Sequence, residues 1–214
     1  YSTPRTCYAL QLSMEGRFSE AMREAHTGRD LDPLEVISRV AVVRCSYHAR
    51  IYDYAYRFAS ATLENEPSNM MMLYAASFVL SRLGRHKEAI AAAEKCVEKL
   101  GTVSHTYGRL GAALAASGNL EEAERAYTRA LGVDAKRPHA RAARAIVLTR
   151  LGRGREAVPD LRAAYDANAP DAAVFNALAF ALTEAGEFAE ATAVLKRGVD
   201  LRPDDVNMTH NLAR

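Results

Sequence analysis

Two histidines, His105 and His139, stand 34 residues apart. If that interval is one structural repeat, they occupy equivalent positions on neighbouring helices. Such helix axes run roughly 8–10 Å apart, close enough for two imidazoles to converge on one metal ion. A metal centre usually takes three or four ligands. One further interval in either direction lie Met71 and Ala173, so no third ligand comes from the same position. The pair reads as contacting a partner peptide or as merely solvated, and no metal is expected. The other histidines, His26, His48, His86 and His210, are scattered. Cys7, Cys45 and Cys96 are odd in number and fit no zinc or redox spacing. They read as small buried side chains of a reducing compartment, and a cytoplasmic location is expected. The sequence has no Gly-rich phosphate loop ending in Lys, no HExxH and no GxSxG. No catalytic residue and no cofactor are expected, and the chain reads as a non-enzyme. Gly152-Arg153-Gly154-Arg155 reads as a solvated basic turn between helices.

The elements that position these residues follow from one repeated interval. Steps of 34 residues connect Ala21, Ala55, Ala89, Ala123, Ala157 and Ala191 without insertion or deletion. Five residues before each alanine stand Gly16, Arg50, Gly84, Gly118, Gly152 and Gly186, so five of the six are glycine. Two helices of about a dozen residues and two short turns fill about 34 residues. Glycine ends the first helix because it takes a left-handed conformation at little cost. Alanine lets the second helix approach the first closely. Pro33, Pro67, Pro170 and Pro203 separate one hairpin from the next. Apolar residues recur at helical spacing, as in Tyr107, Leu110, Gly111 and Leu114, then Leu120, Ala123, Tyr127 and Ala130. The expected fold is all-α, with repeats at 2–35, 36–69, 70–103, 104–137, 138–171 and 172–205 and a seventh begun at 206–214. The second and third repeats are irregular, with Ser46, Arg50 and Ser77 at positions that are apolar or glycine elsewhere. Pro159 falls inside a second helix, where a local kink is expected.

This pattern resembles the tetratricopeptide repeat family. Tyr107-Leu110-Gly111-Gly118-Ala123-Tyr127-Ala130 and Phe175-Leu178-Gly186-Phe188-Ala191-Pro203 carry the resemblance best. It implies a right-handed α-solenoid superhelix of antiparallel helix-turn-helix hairpins, with first helices lining a concave groove that binds a partner peptide or protein segment. By phase, the groove candidates are Arg44, Tyr47, Tyr74, Phe78, Arg82, His105, Arg109, His139, Arg150, Asn176 and Phe180. Aromatic residues gather in the second and third repeats with arginines around them, which predicts a partner with an apolar anchor and acidic groups or a C-terminal carboxylate. The alternative is that these aromatics fill gaps in irregular repeats. In the family's carboxylate clamp, which holds chaperone tails, Lys and Asn would stand where this chain has Val40, Arg44, Ala75 and His105. Arg109 alone matches, which argues against a chaperone-tail adaptor.

Composition excludes other classes. Of 214 residues, 49% are apolar and 25% charged, ordinary values for a folded chain. The net charge of +2 is too small to point to nucleic acid or a membrane surface. Helical repeats that read RNA need similar polar side chains at a fixed position, whereas position 2 runs Thr3, Ile37, Met71, His105, His139, Ala173, Asn207. A second resemblance, carried by Leu31-Asp32-Pro33-Leu34 at the end of the first repeat and the Ala-Arg-x-Tyr-Asp hairpin, is to repeat arrays of bacterial regulators, cyclases and kinases. There the array would be a regulatory region of a larger protein. The chain starts with Tyr1 and stops inside a repeat. A fragment is therefore expected, with Val206, Met208 and Leu212 in an unfinished layer that continues in further sequence or self-associates, as in an assembling scaffold.

Overall fold

The computed structural model describes residues 2–101, 103–135, 137–166, 172–201 and His210. Among these are twelve α-helices and no strand. The first helices of the repeats are α1 (Ser2–Met14), α3 (Val36–His48), α5 (Met70–Arg82), α7 (Ser104–Ser117), α9 (Pro138–Arg150) and α11 (Ala172–Ala185). The second helices are α2 (Phe18–Leu31), α4 (Tyr52–Asn65), α6 (His86–Leu100), α8 (Leu120–Val133), α10 (Gly154–Asp166) and α12 (Phe188–Leu201). The chain divides into two compact units, Tyr1–Ser117 with α1 to α7 and Gly118–Arg214 with α8 to α12. Within each unit, consecutive helices pack as hairpins.

Five of the turns inside the hairpins are built alike. At the end of α1, the Arg17 N–H reaches back to the Leu12 carbonyl (2.9 Å) and the Gly16 N–H to that of Ser13 (3.4 Å). The same pair of bonds closes α3, α5, α9 and α11. This is the Schellman turn, which needs a left-handed residue just past the helix. The glycines of the row have positive φ, from 72° to 90°. Arg50 takes the same conformation at φ 60°, the one non-glycine residue of positive φ among those described. The turn therefore follows the repeat register even where the residue type opposes it. A side chain in this region costs roughly 1–2 kcal/mol, part of which glycine gives back as unfolded-state entropy. Arg50→Gly is expected to stabilise the chain by ~0.5–1 kcal/mol, read as a raised urea midpoint. An unchanged or lowered midpoint would mean that the Arg50 side chain compensates the strain.

The alanine row is buried as its register predicts: Ala21, Ala55, Ala89, Ala123 and Ala157 are fully buried and Ala191 nearly so. Around these alanines form three apolar clusters. In the unit Tyr1–Ser117, a small one holds Ala9, Leu12, Ala21, Ala25, Ala41, Val42 and Cys45. A larger one there includes Val43, Met72, Leu73, Val79, Leu80 and Cys96. The unit Gly118–Arg214 is organised around Leu148, Leu161, Phe175, Leu178, Leu182 and Leu195. The irregular Ser46 and Ser77 are fully buried. Their hydroxyls donate to the carbonyls of Val42 (2.7 Å) and Tyr74 (2.9 Å) on their own helices, so neither polar group is left unsatisfied.

Pro159 lies inside the second helix α10, from Gly154 to Asp166, as expected. Two expectations change. Cys7, read as a buried side chain, is exposed, whereas Cys45 and Cys96 are buried. Gly152, Arg153 and Arg155 are exposed at the turn as expected, but Gly154 is not solvated. Gly154 is buried and begins α10; its N–H donates to the Glu184 carboxylate of α11 at 3.0 Å. A Cβ there would lie 2.1 Å from that oxygen and 3.0 Å from the Ala181 Cα, so close helix approach sets the glycine. Expectations for Pro170, Pro203 and residues 206–214, apart from His210, fall outside the described residues.

Candidate functional site

In the unit Tyr1–Ser117, four of the expected site residues form one row of rings across the first helices. Tyr47 of α3 meets Phe78 of α5 edge to face, with centroids 5.9 Å apart. Phe78 meets Tyr74, one turn earlier on α5, at 5.3 Å. Tyr74 meets His105 of α7 at 5.8 Å. The helical interval of four residues stacks Tyr74 and Phe78 on one face, and the 34-residue period sets Tyr47 and His105 beside them. All four are half-buried. T-shaped pairs of this kind contribute about 0.5–1.5 kcal/mol each beyond their buried area.

Arg109 lies beneath this row rather than on its rim. It is only 5% exposed, with its guanidinium carbon 3.8 Å from the Phe78 ring centroid. At the same repeat position stand Ala41, Ala75, Ala143 and Ala177. Arg109 thus fills a place that small residues hold elsewhere, and it fixes the ring that faces outward. Its cation belongs to the packing, in the manner of a desolvated cation–π pair.

Tyr52, on α4, is not a site candidate by phase. Its ring lies 5.6 Å from that of Tyr47, and the Arg82 guanidinium sits 6.0 Å from its centroid. The phenols of Tyr47 and Tyr52 raise the Arg82 pKa above its ordinary value, by charge and by hydrogen bonding. The sequence does carry a signal for it: a tyrosine opening the second helix lies one turn from the end of the first.

Charge is segregated between the two sets of helices. α1, α3, α5 and α7 contain no Asp or Glu. The acids of this unit sit on α2, α4 and α6 or in the turns. Of the arginines on the first helices, Arg5 pairs with Glu24 at 2.7 Å and Arg39 with Glu66 at 2.6 Å. Arg44 and Arg82 are exposed and have no acidic partner among the described residues. On the second helices, by contrast, Arg17–Glu20, Arg85–Glu88 and Arg153–Glu156 repeat the same two-pronged pairing at the helix start.

The other expected site residues lie in the unit Gly118–Arg214. His139 and Arg150 are exposed near opposite ends of α9 and so stand about 16 Å apart along it. Asn176 is half-buried on α11, and Phe180, one turn on, is 54% exposed. No ring row like that of Tyr47, Phe78 and Tyr74 joins Phe180 among the described residues. No group of three or more His, Cys, Asp or Glu that could hold a metal occurs among the described residues.

Comparison with known proteins agrees with the repeat geometry. A model described as tetratricopeptide repeat matches residues 148–213, and another of the same description matches 72–98 and 104–137. Together they cover more than half of the chain. The chain belongs to the tetratricopeptide repeat family. Solved tetratricopeptide structures share its fold at low identity. One from Parabacteroides merdae superposes with a TM-score of 0.76 at 14% identity, over 99% of this chain and 83% of that one. A chain of the APC/C hetero-tetramer Cut9–Hcn1 gives 0.86 at 14% identity; all of this chain matches, and it spans 42% of that one. YrrB, described as a tetratricopeptide protein with an unusual peptide-binding site, gives 0.61 at 18% identity, over 89% of this chain and 98% of its own. No curated protein matches the sequence. No helix among the described residues is long and apolar enough to cross a membrane.

Proposed function

We propose that the first-helix face of the unit Tyr1–Ser117 binds an acidic protein segment that carries an apolar anchor. The observation behind this reading is the pair Arg44 and Arg82. They are exposed without acidic partners among the described residues, on helices that contain no acid, beside the row Tyr47, Phe78, Tyr74 and His105. A carboxylate brought to Arg82 would also meet the Tyr47 and Tyr52 phenols, and charge-assisted hydrogen bonds of this type are about twice as strong as neutral ones. The half-buried rings offer apolar area already fixed in place by Arg109, so little ordering cost is left to binding. Tetratricopeptide arrays generally mediate protein–protein interactions. The structurally similar YrrB, with its peptide-binding site, is consistent with this use. His139, Arg150, Asn176 and Phe180 are proposed as separate contacts on the other unit.

The test is selection of a random peptide library displayed on phage against the whole chain. Enriched sequences are expected to combine Asp or Glu with an aromatic or large aliphatic residue, and to lose binding to Tyr74→Ala/Phe78→Ala. Enrichment of basic sequences, or binding untouched by the double substitution, would contradict the proposal.

A further inference from the structure

The neighbouring helices α5 and α7 carry different side chains at the same register. On α5, Met71, Tyr74, Phe78 and Arg82 follow at intervals of three and four residues and so share one face. The same register on α7 holds His105, Gly108, Ala112 and Ala116. The two helices pack together within the unit Tyr1–Ser117, and His105 meets the Tyr74 ring. The face therefore steps down from bulky side chains on α5 to small ones on α7. The half-buried rings of Tyr74 and Phe78 stand along this step, and His105 lies at its end near the start of α7.

The chain's own packing does not account for Gly108. It lies inside α7, where glycine is less favourable than alanine because it loses more chain entropy on folding. It is not among the glycines of positive φ, so no left-handed turn calls for it. Among the described residues, a Cβ at Gly108 would meet no atom within 4 Å outside its own stretch of helix. At Gly154, by contrast, the Cβ would press on Glu184 and Ala181. Gly108 is nevertheless half-buried, so the open space above it is a hollow between side chains. Close approach of a ligand is the remaining physical reason for glycine at such a place.

We infer that Gly108 floors the seat for the apolar anchor of the acidic segment proposed above, and that this anchor is an aromatic side chain. The inference rests on that reading of the first-helix face. A ring over Gly108 lies beside Tyr74 and His105, which already meet edge to face, and extends their row by one. Charge fixes the rest of the segment. α5 and α7 contain no acid, and the exposed Arg82 of α5 matches Ala116 in register, eight residues beyond Gly108. Eight residues of helix rise ~12 Å and neighbouring axes run roughly 8–10 Å apart, so seat and cation are about 15 Å apart. An extended chain advancing ~3.3 Å per residue spans this in about four residues. The partner is an acidic segment whose Asp or Glu stands about four residues from a Phe, Tyr or Trp.

The test is titration calorimetry of the whole chain with an acidic peptide from the phage selection, and with the same peptide after its aromatic residue is replaced by alanine. Gly108→Ala is expected to raise the urea midpoint, because the new methyl meets nothing, and yet to weaken the aromatic peptide. Gly108→Leu fills the hollow and is expected to weaken that peptide by about tenfold or more. It should change binding of the alanine-substituted peptide by no more than about twofold, so the variant loses the preference for the ring. A lowered midpoint in Gly108→Ala would show that the glycine serves the chain's own fold and would overturn the seat. Undiminished preference for the ring in Gly108→Leu, or selected peptides with only aliphatic anchors, would overturn it as well. In those cases, loss of binding in Arg44→Glu/Arg82→Glu would leave the acidic-partner reading standing without the seat. A selection that yields no acidic peptide would overturn both.

Discussion

Ala89→Leu should lower the stability of the chain by about 3 kcal/mol, the upper part of the usual range for overfilling a packed core. Ala89 is fully buried in the larger cluster of the unit Tyr1–Ser117, where α6 lies against α5. The added side chain must displace the residues packed around Ala89. Ala91, two residues on in the same helix, is exposed, so Ala91→Leu should change stability by no more than about 0.5 kcal/mol. Urea denaturation of the two variants separates a steric requirement from a change in helix propensity, which the pair shares. Equal midpoints would show that the alanine row is not required for close packing.

Arg109→Ala should cost about 2–3 kcal/mol, from the desolvated cation–π contact and the volume left under the ring row. The same substitution should increase the mobility of Phe78 and Tyr74, seen as averaged ring signals by NMR. Arg109→Lys should recover little of either effect, because an ammonium cannot stack its plane on Phe78. If Arg109→Ala keeps full stability and ordered rings, Arg109 does not support the row.

The repeat fold is legible in the sequence because period and steric demand coincide in single residues. Six alanines in register sit where helices touch, and the glycine row sits where a Schellman turn needs positive φ. Arg50 shows the limit: register places the turn correctly although the residue type argues against it. Phase also groups Tyr47, Tyr74, Phe78 and His105, which the structure links ring to ring. It does not separate the depth of Arg109 from that of Arg82. Both are first-helix arginines, but Arg109 points into the contact with the preceding repeat while Arg82 lies at the helix end. That difference depends on what the neighbouring repeat offers, and no single-repeat pattern encodes it. Glu184 against Gly154 is a similar case, a contact between residues 30 apart. The absence of acid from α1, α3, α5 and α7 is readable in the sequence, once the helices are sorted into first and second members.

The most direct test of the acidic-partner reading compares two charge reversals for binding of an acidic peptide recovered by the phage selection. Arg44→Glu/Arg82→Glu changes the first-helix face. Arg23→Glu/Arg57→Glu makes the same net change at exposed arginines of α2 and α4. By titration calorimetry, the first pair should weaken binding by about tenfold or more, and the second should leave it within about twofold. Equal losses from both would mean that the peptide responds to net charge alone, and an unchanged affinity for Arg44→Glu/Arg82→Glu would contradict binding at the first-helix face.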